Sequence, residues 1–186
     1  MSRIRTILHK LVSLYQSAFI PRRCIAKNEI IIHEILYSFK LRRVKDGLMA
    51  VKLDLQKAYN KINWSFLRNL LQKFGFADVF INWIMECIST VSSAIIINGG
   101  KFGMFKHSKG LQQGDPLSPY LFILCQEIFS RMLDREFSEG RLSGVETSLS
   151  DLTLTHVMYI DDIVLFTKAD SRETTRLNEC LDLYCS

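Results

Sequence analysis

The stretch Tyr159-Ile160-Asp161-Asp162 lies between two apolar runs, residues 152–158 and 163–166. Both runs are rich in Val, Ile, Leu, Phe and Thr, so we expect a β-hairpin whose tight turn carries the two acids. Neighbouring strand side chains point to opposite faces, and a bend is needed for adjacent carboxylates to approach one site. Asp is also a common turn former, so the stretch alone leaves a purely structural role open.

A third acid, Asp54, stands at the carboxyl end of an apolar strand predicted over residues 48–55. Two carboxylates about 4 Å apart repel each other by about 4 kcal/mol at an effective dielectric of about 20, so a cation should share their site. Mg²⁺ is the natural candidate, because it binds through one or two carboxylates and leaves positions for substrate phosphates. Acids from separate strands that hold two ions about 3.5–4 Å apart are the arrangement of two-metal phosphoryl transfer.

A loop punctuated by glycine and proline, residues 110–119, leads into a helix predicted from Leu117 to about Phe137. Proline is tolerated in the first turn of a helix, and the free amides at that end attract phosphate. Three segments that are distant in the chain therefore fit one chemistry.

Helical spacing predicts further helices, and residues 93–106 predict a hairpin that turns at Gly99-Gly100. Asn28 and Asn60 are the predicted N-caps of the helices that follow them. The net charge of +5 favours a polyanionic partner only weakly. The five cysteines form no C-x-x-C pair, and no apolar run approaches the roughly 18 residues of a membrane span. We expect a soluble intracellular protein with reduced thiols.

From about Leu8 to its last residue, the chain resembles the reverse transcriptase domain of non-LTR (LINE-type) retrotransposons, particularly those of plants. The family's first palm motif is similar to Asp54-Leu55-Gln56-Lys57-Ala58-Tyr59, its second to residues 110–119 and its third to residues 159–162. Residues 16–23 resemble its fingers segment. The order and spacing of the motifs carry the resemblance, since each motif alone has mimics.

The resemblance implies an α+β fold, the right-hand polymerase palm, in which helices back an antiparallel sheet. Partial fingers would comprise residues 1–47 and the palm residues 48–186, with a fingers-like hairpin at about 93–106. The family's next palm lysine, primer-grip hairpin and thumb would follow Ser186, and an endonuclease would precede Met1. We therefore expect a single-domain fragment without a thumb, and weak or absent activity for the chain alone.

The implied function is RNA-directed DNA polymerisation, with an RNA template, a DNA primer and deoxynucleoside triphosphates as partners. Two Mg²⁺ ions, or Mn²⁺, would be the cofactors. The resemblance assigns catalytic and metal-binding roles to Asp54, Asp161 and Asp162, of which Asp162 would also support the primer end.

The resemblance also implies contacts with the nucleotide and with the two strands. The implied nucleotide-binding residues are Leu55, Tyr59, Gln113, Gly114 and Arg23. Tyr59 would crowd the sugar 2′ position, although a buried core tyrosine is the alternative, and Arg23 is a phosphate ligand or a solvated loop arginine. Ser118, Pro119 and Tyr159 would face the template and primer.

Two positions depart from the family: Asn60 replaces a usual Asp, and Arg22 replaces a typical Gly. Two alternatives to an active polymerase stay open, namely a relic that keeps the fold without turnover and a nucleic-acid-binding module. The basic residues of 40–45 suit a helix C-terminus, a phosphate-binding patch or a nuclear-import signal. Because the family primes synthesis at genomic DNA, we expect a nuclear location.

Overall fold

The computed structural model describes residues 2–41, 47–147 and 153–185. The helices are α1 (Ser2–Leu11), α2 (Ile25–Leu41), α3 (Ala58–Lys61), α4 (Trp64–Lys73), α5 (Asp78–Ser89), α6 (Ser118–Ser138) and α7 (Ser171–Cys185). The strands are β1 (Leu48–Asp54), β2 (Ser92–Ile97), β3 (Gly100–Lys106), β4 (Val145–Glu146), β5 (Thr153–Leu154), β6 (His156–Tyr159) and β7 (Asp162–Lys168). Packing divides the chain into a first unit, Met1–Leu55 with Ile123–Ser186, and a second unit, Gln56–Phe122.

The first unit is built around an antiparallel sheet of strand order β1-β7-β6. This confirms the predicted pairing of the 48–55 strand with the late hairpin. Alternation along the strands puts Leu53, Ile163 and Met158 on one face, where they pack against Phe129 of α6 and Leu177 of α7. This face is the main core of the unit.

The opposite face of the same sheet is apolar at one end only. There Phe166 and Val157 pack against Ile35 of α2. Towards the other end the side chains on this face become charged and exposed, and they include Lys52 and Asp54. One end of a well-packed sheet thus presents polar groups to solvent.

The second unit contains the β2–β3 hairpin and the helix pair α4 and α5. The turn residues of the β2–β3 hairpin are Asn98 and Gly99. The turn lies one position before the predicted Gly99-Gly100, because Gly100 already begins β3. The predicted cap Asn60 is wrong: it lies inside α3, and Asn63 caps α4 by accepting from the amides of Ser65 (2.8 Å) and Phe66 (3.3 Å).

Asn28 is also not an N-cap, because α2 begins at Ile25. The predicted helix 117–137 is confirmed as α6, and the Asp115 side chain accepts from the amide of Leu117 (3.0 Å) just before it. The assignment of residues 1–47 to the fingers and 48–186 to the palm stays a prediction. In the described parts of the chain, no helix combines the length and apolar character needed to cross a membrane.

Candidate active site

The acids of the first and third motifs meet at the exposed end of the sheet. Asp54, the last residue of β1, lies directly opposite Asp162, the first residue of β7. Side chains of directly opposed residues share one face with their Cβ atoms about 4.5–5.5 Å apart. Both side chains are exposed. The strand register therefore brings an early and a late acid to one place on the surface.

The hairpin turn carries one acid and not two. Its two turn residues are Ile160 and Asp161, because Tyr159 already pairs with Asp162. Ile160 has a φ of +53°, and a left-handed conformation costs a non-glycine residue about 1–2 kcal/mol. The prediction that both acids occupy the turn is thus wrong for Asp162. Asp161 lies at the tip of the bend and Asp162 on the strand, and the expected approach of the two carboxylates to one site stays a prediction.

Lys52 supplies a positive charge at this site. Its Nζ lies 3.0 Å from Oδ1 of Asp162, and the two side chains share a face with Asp54. The hydrogen bond and the charge of Asp162 raise the pKa of Lys52, with a smaller contribution from Asp54. Sequence reasoning expected a cation but did not name Lys52, although its position two residues before Asp54 puts it on the same side of the strand.

The donor chemistry of the three acids fits a hard divalent cation. All their donors are carboxylate oxygens, and the face that carries Asp54 and Asp162 is open to solvent. As the side chains stand, no three His, Cys, Asp or Glu residues of the described segments converge into a closed ligand group. Mg²⁺ does not need one, since it binds through one or two carboxylates while phosphates and water fill its remaining positions.

A strap of residues 15–17 lies along the outer edge of β6, next to the turn. The amide of Met158 donates to the carbonyl of Tyr15 (2.9 Å), and the amide of Ser17 donates to the carbonyl of Met158 (3.3 Å). Asn28 Nδ2 also donates to the Met158 carbonyl (3.2 Å) and to Ser17 Oγ (2.8 Å). The strap thereby satisfies an edge that the three-stranded sheet leaves unpaired.

Arg23 binds the backbone around this strap. Its guanidinium donates to the carbonyls of Gln16 (2.5 Å), Val12 (3.0 Å) and Ser13. Five donors in a fixed fork suit Arg for this task. These contacts give Arg23 a structural role, in which it holds the backbone at and before the strap. The sequence had suggested a phosphate ligand or a solvated loop arginine. Its contact with a nucleotide phosphate stays a prediction.

A buried histidine lies under the strap. The two ring nitrogens of His156 bond to Ser130 Oγ and Thr155 Oγ1, each at 2.7 Å, and the Tyr15 ring lies 4.2 Å away between centroids. Burial lowers the pKa of His156 to about 3. His156 is therefore neutral at physiological pH and belongs to the support of β6.

The second-motif loop packs against the segment that follows the first motif, within the second unit. The Gly110 and Leu111 amides donate to the carbonyls of Ile62 (2.7 Å) and Tyr59 (2.8 Å). Gly110 has a φ of +87°, and a Cβ at this position would lie 2.7 Å from the carbonyl oxygen of Asn60. Only glycine fits both requirements. The Tyr59 ring stacks on Phe122 at 4.4 Å between centroids, and its role as a 2′ gate stays a prediction.

The same loop lines a cavity of about 570 Å³. Gln113 lies on its wall together with Asn60, and three basic residues, Lys106, His107 and Lys109, surround it. Gly114 is exposed, Pro119 is partly buried, and Ser118 is buried with no hydrogen-bond partner for its hydroxyl. In the first unit, Leu55 and Tyr159 are each half-buried; Leu55 follows Asp54 in sequence, and Tyr159 pairs with Asp162 across the hairpin. The nucleotide, template and primer roles of these residues stay predictions.

The family model that describes reverse transcriptase, an RNA-dependent DNA polymerase, matches residues 1–184. The chain belongs to the reverse transcriptase family. Membership fits the geometry above, since the acids of the first and third motifs share one sheet end.

Relatives place the chain in the non-LTR (LINE-type) group, as predicted. The chain is 26% identical to the transposon TX1 uncharacterized 149 kDa protein of Xenopus laevis over 99% of its own length and 14% of that protein. It is 24% identical to the Pol polyprotein of the R2DM retrotransposable element of Drosophila melanogaster, over 90% of the chain and 15% of the relative. It is 48% identical to the uncharacterized mitochondrial protein AtMg01250 of Arabidopsis thaliana over 36% of the chain and 55% of that protein. The chain spans a minor part of the transposon proteins.

Solved structures confirm the fold class. Telomerase of Candida albicans, solved with a fragment of telomeric RNA, superposes on 97% of the chain and 30% of its own with a TM-score of 0.67 at 14% identity. Apo telomerase of Candida tropicalis, truncated from its C-terminal domain, gives 0.62 at 15% identity over 100% of the chain and 38% of its own. The chain has the right-hand polymerase fold, with an antiparallel sheet backed by helices.

Proposed function

We propose that the chain is the catalytic part of an RNA-directed DNA polymerase, which extends a DNA primer along an RNA template. The observation that carries the proposal is the register of Asp54 opposite Asp162, with Asp161 at the adjoining turn. Two-metal nucleotidyl transfer needs acids from separate strands at one open site. The charged end of the sheet meets that need, and the rest of the same face is packed.

Asp54 and Asp161 would hold two Mg²⁺ ions, or Mn²⁺, and Asp162 would border them. When bound, such ions supply charge stabilisation at the attacking primer hydroxyl and at the leaving oxygen of pyrophosphate. The protein's own part is to orient the carboxylates before substrate arrives. The Lys52 ammonium, 3.0 Å from Asp162, keeps that carboxylate on the open face and partly neutralises the cluster.

Deoxynucleotide binding is proposed for Leu55 through its backbone and for Tyr59, Gln113, Gly114 and Arg23. The stacking of Tyr59 on Phe122 supports a rigid wall at the sugar, because the ring is fixed on one side. The exposed backbone of the loop at Gly114 supports a close approach of substrate, since no side chain blocks it.

Template and primer contacts are proposed for Ser118, Pro119 and Tyr159. Nuclear residence is part of the same proposal. Its weak support in the sequence, the basic stretch 40–45, lies mostly outside the described residues: Lys40 is described at the end of α2, and 42–46 are not.

Primer extension on an RNA template with Mg²⁺ tests the proposal. We expect weak or no extension by the chain alone and clear extension once thumb sequence is appended. In the extended protein, Asp161→Asn should lower the rate at least about a thousandfold, since metal ions contribute several kcal/mol to such transition states. Asp182→Asn, an exposed acid on α7, is the matched control and should change nothing.

The decisive contrary result is extension that survives Asp161→Asn. Tight binding of an RNA–DNA hybrid without any extension by the thumb-bearing parent would instead favour a binding module or a relic. Ribonucleotide discrimination that is unchanged in Tyr59→Val would remove the gate role while leaving the polymerase proposal intact.

A further inference from the structure

We infer that Gln16 is a positioning residue for the catalytic turn, an inference that rests on the proposed function. Gln16 is only 2% exposed, and it begins the segment 16–23, whose resemblance to the fingers assigned it no role of its own. Its carboxamide lies where three segments of the first unit meet: the strap, α6 and the turn between β6 and β7.

Each polar atom of the Gln16 side chain has a partner. Oε1 accepts from the amide of Ala18 (3.0 Å) and, at a longer 3.4 Å, from the amide of Ile160, while Nε2 donates to Gln126 Oε1 (3.0 Å). The Ile160 contact is the informative one. It fixes the first amide of the turn, at the residue that holds a φ of +53° immediately before Asp161.

The Gln16 backbone is fixed independently of its side chain. The residue forms an isolated parallel bridge with Met158, and Arg23 donates to its carbonyl at 2.5 Å. Because the backbone of Gln16 is fixed, its carboxamide is held in one position relative to the turn. A group that is held in this way can transmit the rigidity of the strap to the turn.

The buried pair Gln16 and Gln126 is less favourable for folding than an apolar pair would be. Nε2 of Gln126 is buried without a hydrogen-bond partner, and a buried unsatisfied donor destabilises the folded state. An apolar pair of the same volume would bury no such donor. Beyond packing, the carboxamide of Gln16 adds the bonds to the amides of Ala18 and Ile160, and only the second reaches the turn.

The consequence for chemistry follows from the turn geometry. A β-branched residue leaves the left-handed region when nothing restrains it, because its Cβ crowds the backbone there. If Ile160 relaxes, Asp161 changes direction with the peptide that links them. Gln16 contacts neither the acids nor any reacting atom, so its effect on metal binding is exerted through the backbone of the turn.

The test compares Gln16→Met with Gln126→Met in the chain as it stands. Both variants break the Gln16–Gln126 bond, and only Gln16→Met also removes the acceptor of the Ala18 and Ile160 amides. Amide hydrogen exchange by NMR should accelerate about tenfold at Ile160 in Gln16→Met and stay within about twofold in Gln126→Met. Gln16→Asn, whose shorter side chain ends before the turn, is a second variant with the same expected change should the methionine variant fold poorly.

Titration with Mn²⁺ alone is the second readout, and Asp161→Asn identifies the signal that belongs to the site. Gln16→Met should bind Mn²⁺ about tenfold more weakly than the parent, the lower end of what losing an outer-shell partner costs. Gln126→Met should bind it within about twofold of the parent.

Two results would overturn the inference. One is parent-like Mn²⁺ affinity in folded Gln16→Met or Gln16→Asn, and the other is an equal loss in Gln126→Met, which would indicate general packing. A parent without any Mn²⁺ signal that depends on Asp161 would overturn the proposed function itself. That failure is distinguishable, because it lies in the parent rather than in a variant.

Discussion

The chain contains two hairpins that turn in the same number of residues by different means. In β2–β3 the turn is Asn98-Gly99, with φ values of +49° and +80°, and Asn-Gly is the sequence that favours such a turn. In β6–β7 the turn is Ile160-Asp161, and an isoleucine takes the left-handed position. The first hairpin is encoded by its own turn residues, whereas the second has a turn that its residues disfavour.

The two hairpins also differ in their surroundings. Ile96 and Met104 of β2–β3 are 69% and 79% exposed, whereas Ile163 and Leu165 of β7 are fully buried. Tertiary contacts that the first hairpin lacks can therefore maintain the strain in the second. Local strain that the surrounding structure overrides is typical of functional sites. In this chain the disfavoured turn, and not the favourable one, lies at the proposed active site.

Acid should destabilise the first unit through His156, which gives the largest expected effect. Its folded pKa of about 3 lies below the ordinary 6.5, so the unfolded state binds the proton more tightly. Stability is therefore unaffected above about pH 6.5 and falls by up to about 1.4 kcal/mol per pH unit below it, until about pH 3. Between pH 6.5 and 5 the expected loss is about 2 kcal/mol, measured by urea unfolding of the first unit.

The variant His156→Gln separates the loss of stability caused by protonation of His156 from the pH dependence that the carboxylates contribute. Burial raises the pKa of nearby Asp134, which acts with the opposite sign, so the difference between parent and variant is the quantity to measure. His107→Gln in the second unit is the matched control, since the ring of His107 forms its hydrogen bond with Ser93 at the surface. Equal slopes for the parent and His156→Gln over this range would show that His156 is not the sensor.

Patterns within one element predicted most of the fold. Short apolar runs identified β1 and β7, and glycine and proline placed the loop before α6 within one residue of its start. The site acids were predictable because Asp54 ends an apolar strand and the other two acids lie where a hairpin bends, and register then aligns Asp54 with Asp162. Asn28 failed as a cap because its side chain bonds to Met158, far along the chain. The contact of Gln16 with Ile160 has no local signal for the same reason.

The second-largest effect on stability is expected when the left-handed turn residues of the two hairpins, Asn98 and Ile160, are each replaced by the other's residue type. Asn98→Ile should lower the unfolding free energy of the second unit by about 1–2 kcal/mol, because it places a β-branched side chain in the left-handed region. Ile160→Asn should raise that of the first unit by about 1 kcal/mol, since Asn tolerates this conformation. Urea titrations of both variants measure the two changes.

The Ile160→Asn variant also tests whether the strain in the β6–β7 turn serves function. Relief of strain at a site commonly costs activity while it adds stability. Ala94→Ser, an exposed position in β2, is a neutral control for the titrations. A loss of stability in Ile160→Asn would mean that the isoleucine side chain contributes more through packing than it costs in the turn, and the contrast between the hairpins would weaken.

The smallest effect on stability is expected at Lys52, which forms an ion pair with Asp162 at the proposed active site. Its ion pair with Asp162 is exposed on both sides, and such pairs contribute little to folding. Lys52→Gln should therefore leave the melting temperature unchanged. It should tighten Mn²⁺ binding roughly two- to fivefold at low salt, because a neighbouring positive charge repels the ion, and the gain should shrink as salt screens that charge.

Lys101→Gln on β3 makes the same change in net charge and should leave Mn²⁺ binding as it is. If Lys52→Gln instead weakens Mn²⁺ binding, the ammonium must act by orienting Asp162 rather than by opposing the ion. Lys52 would then resemble Gln16, since each would fix a segment of the proposed active site that the segment's own residues do not hold in place.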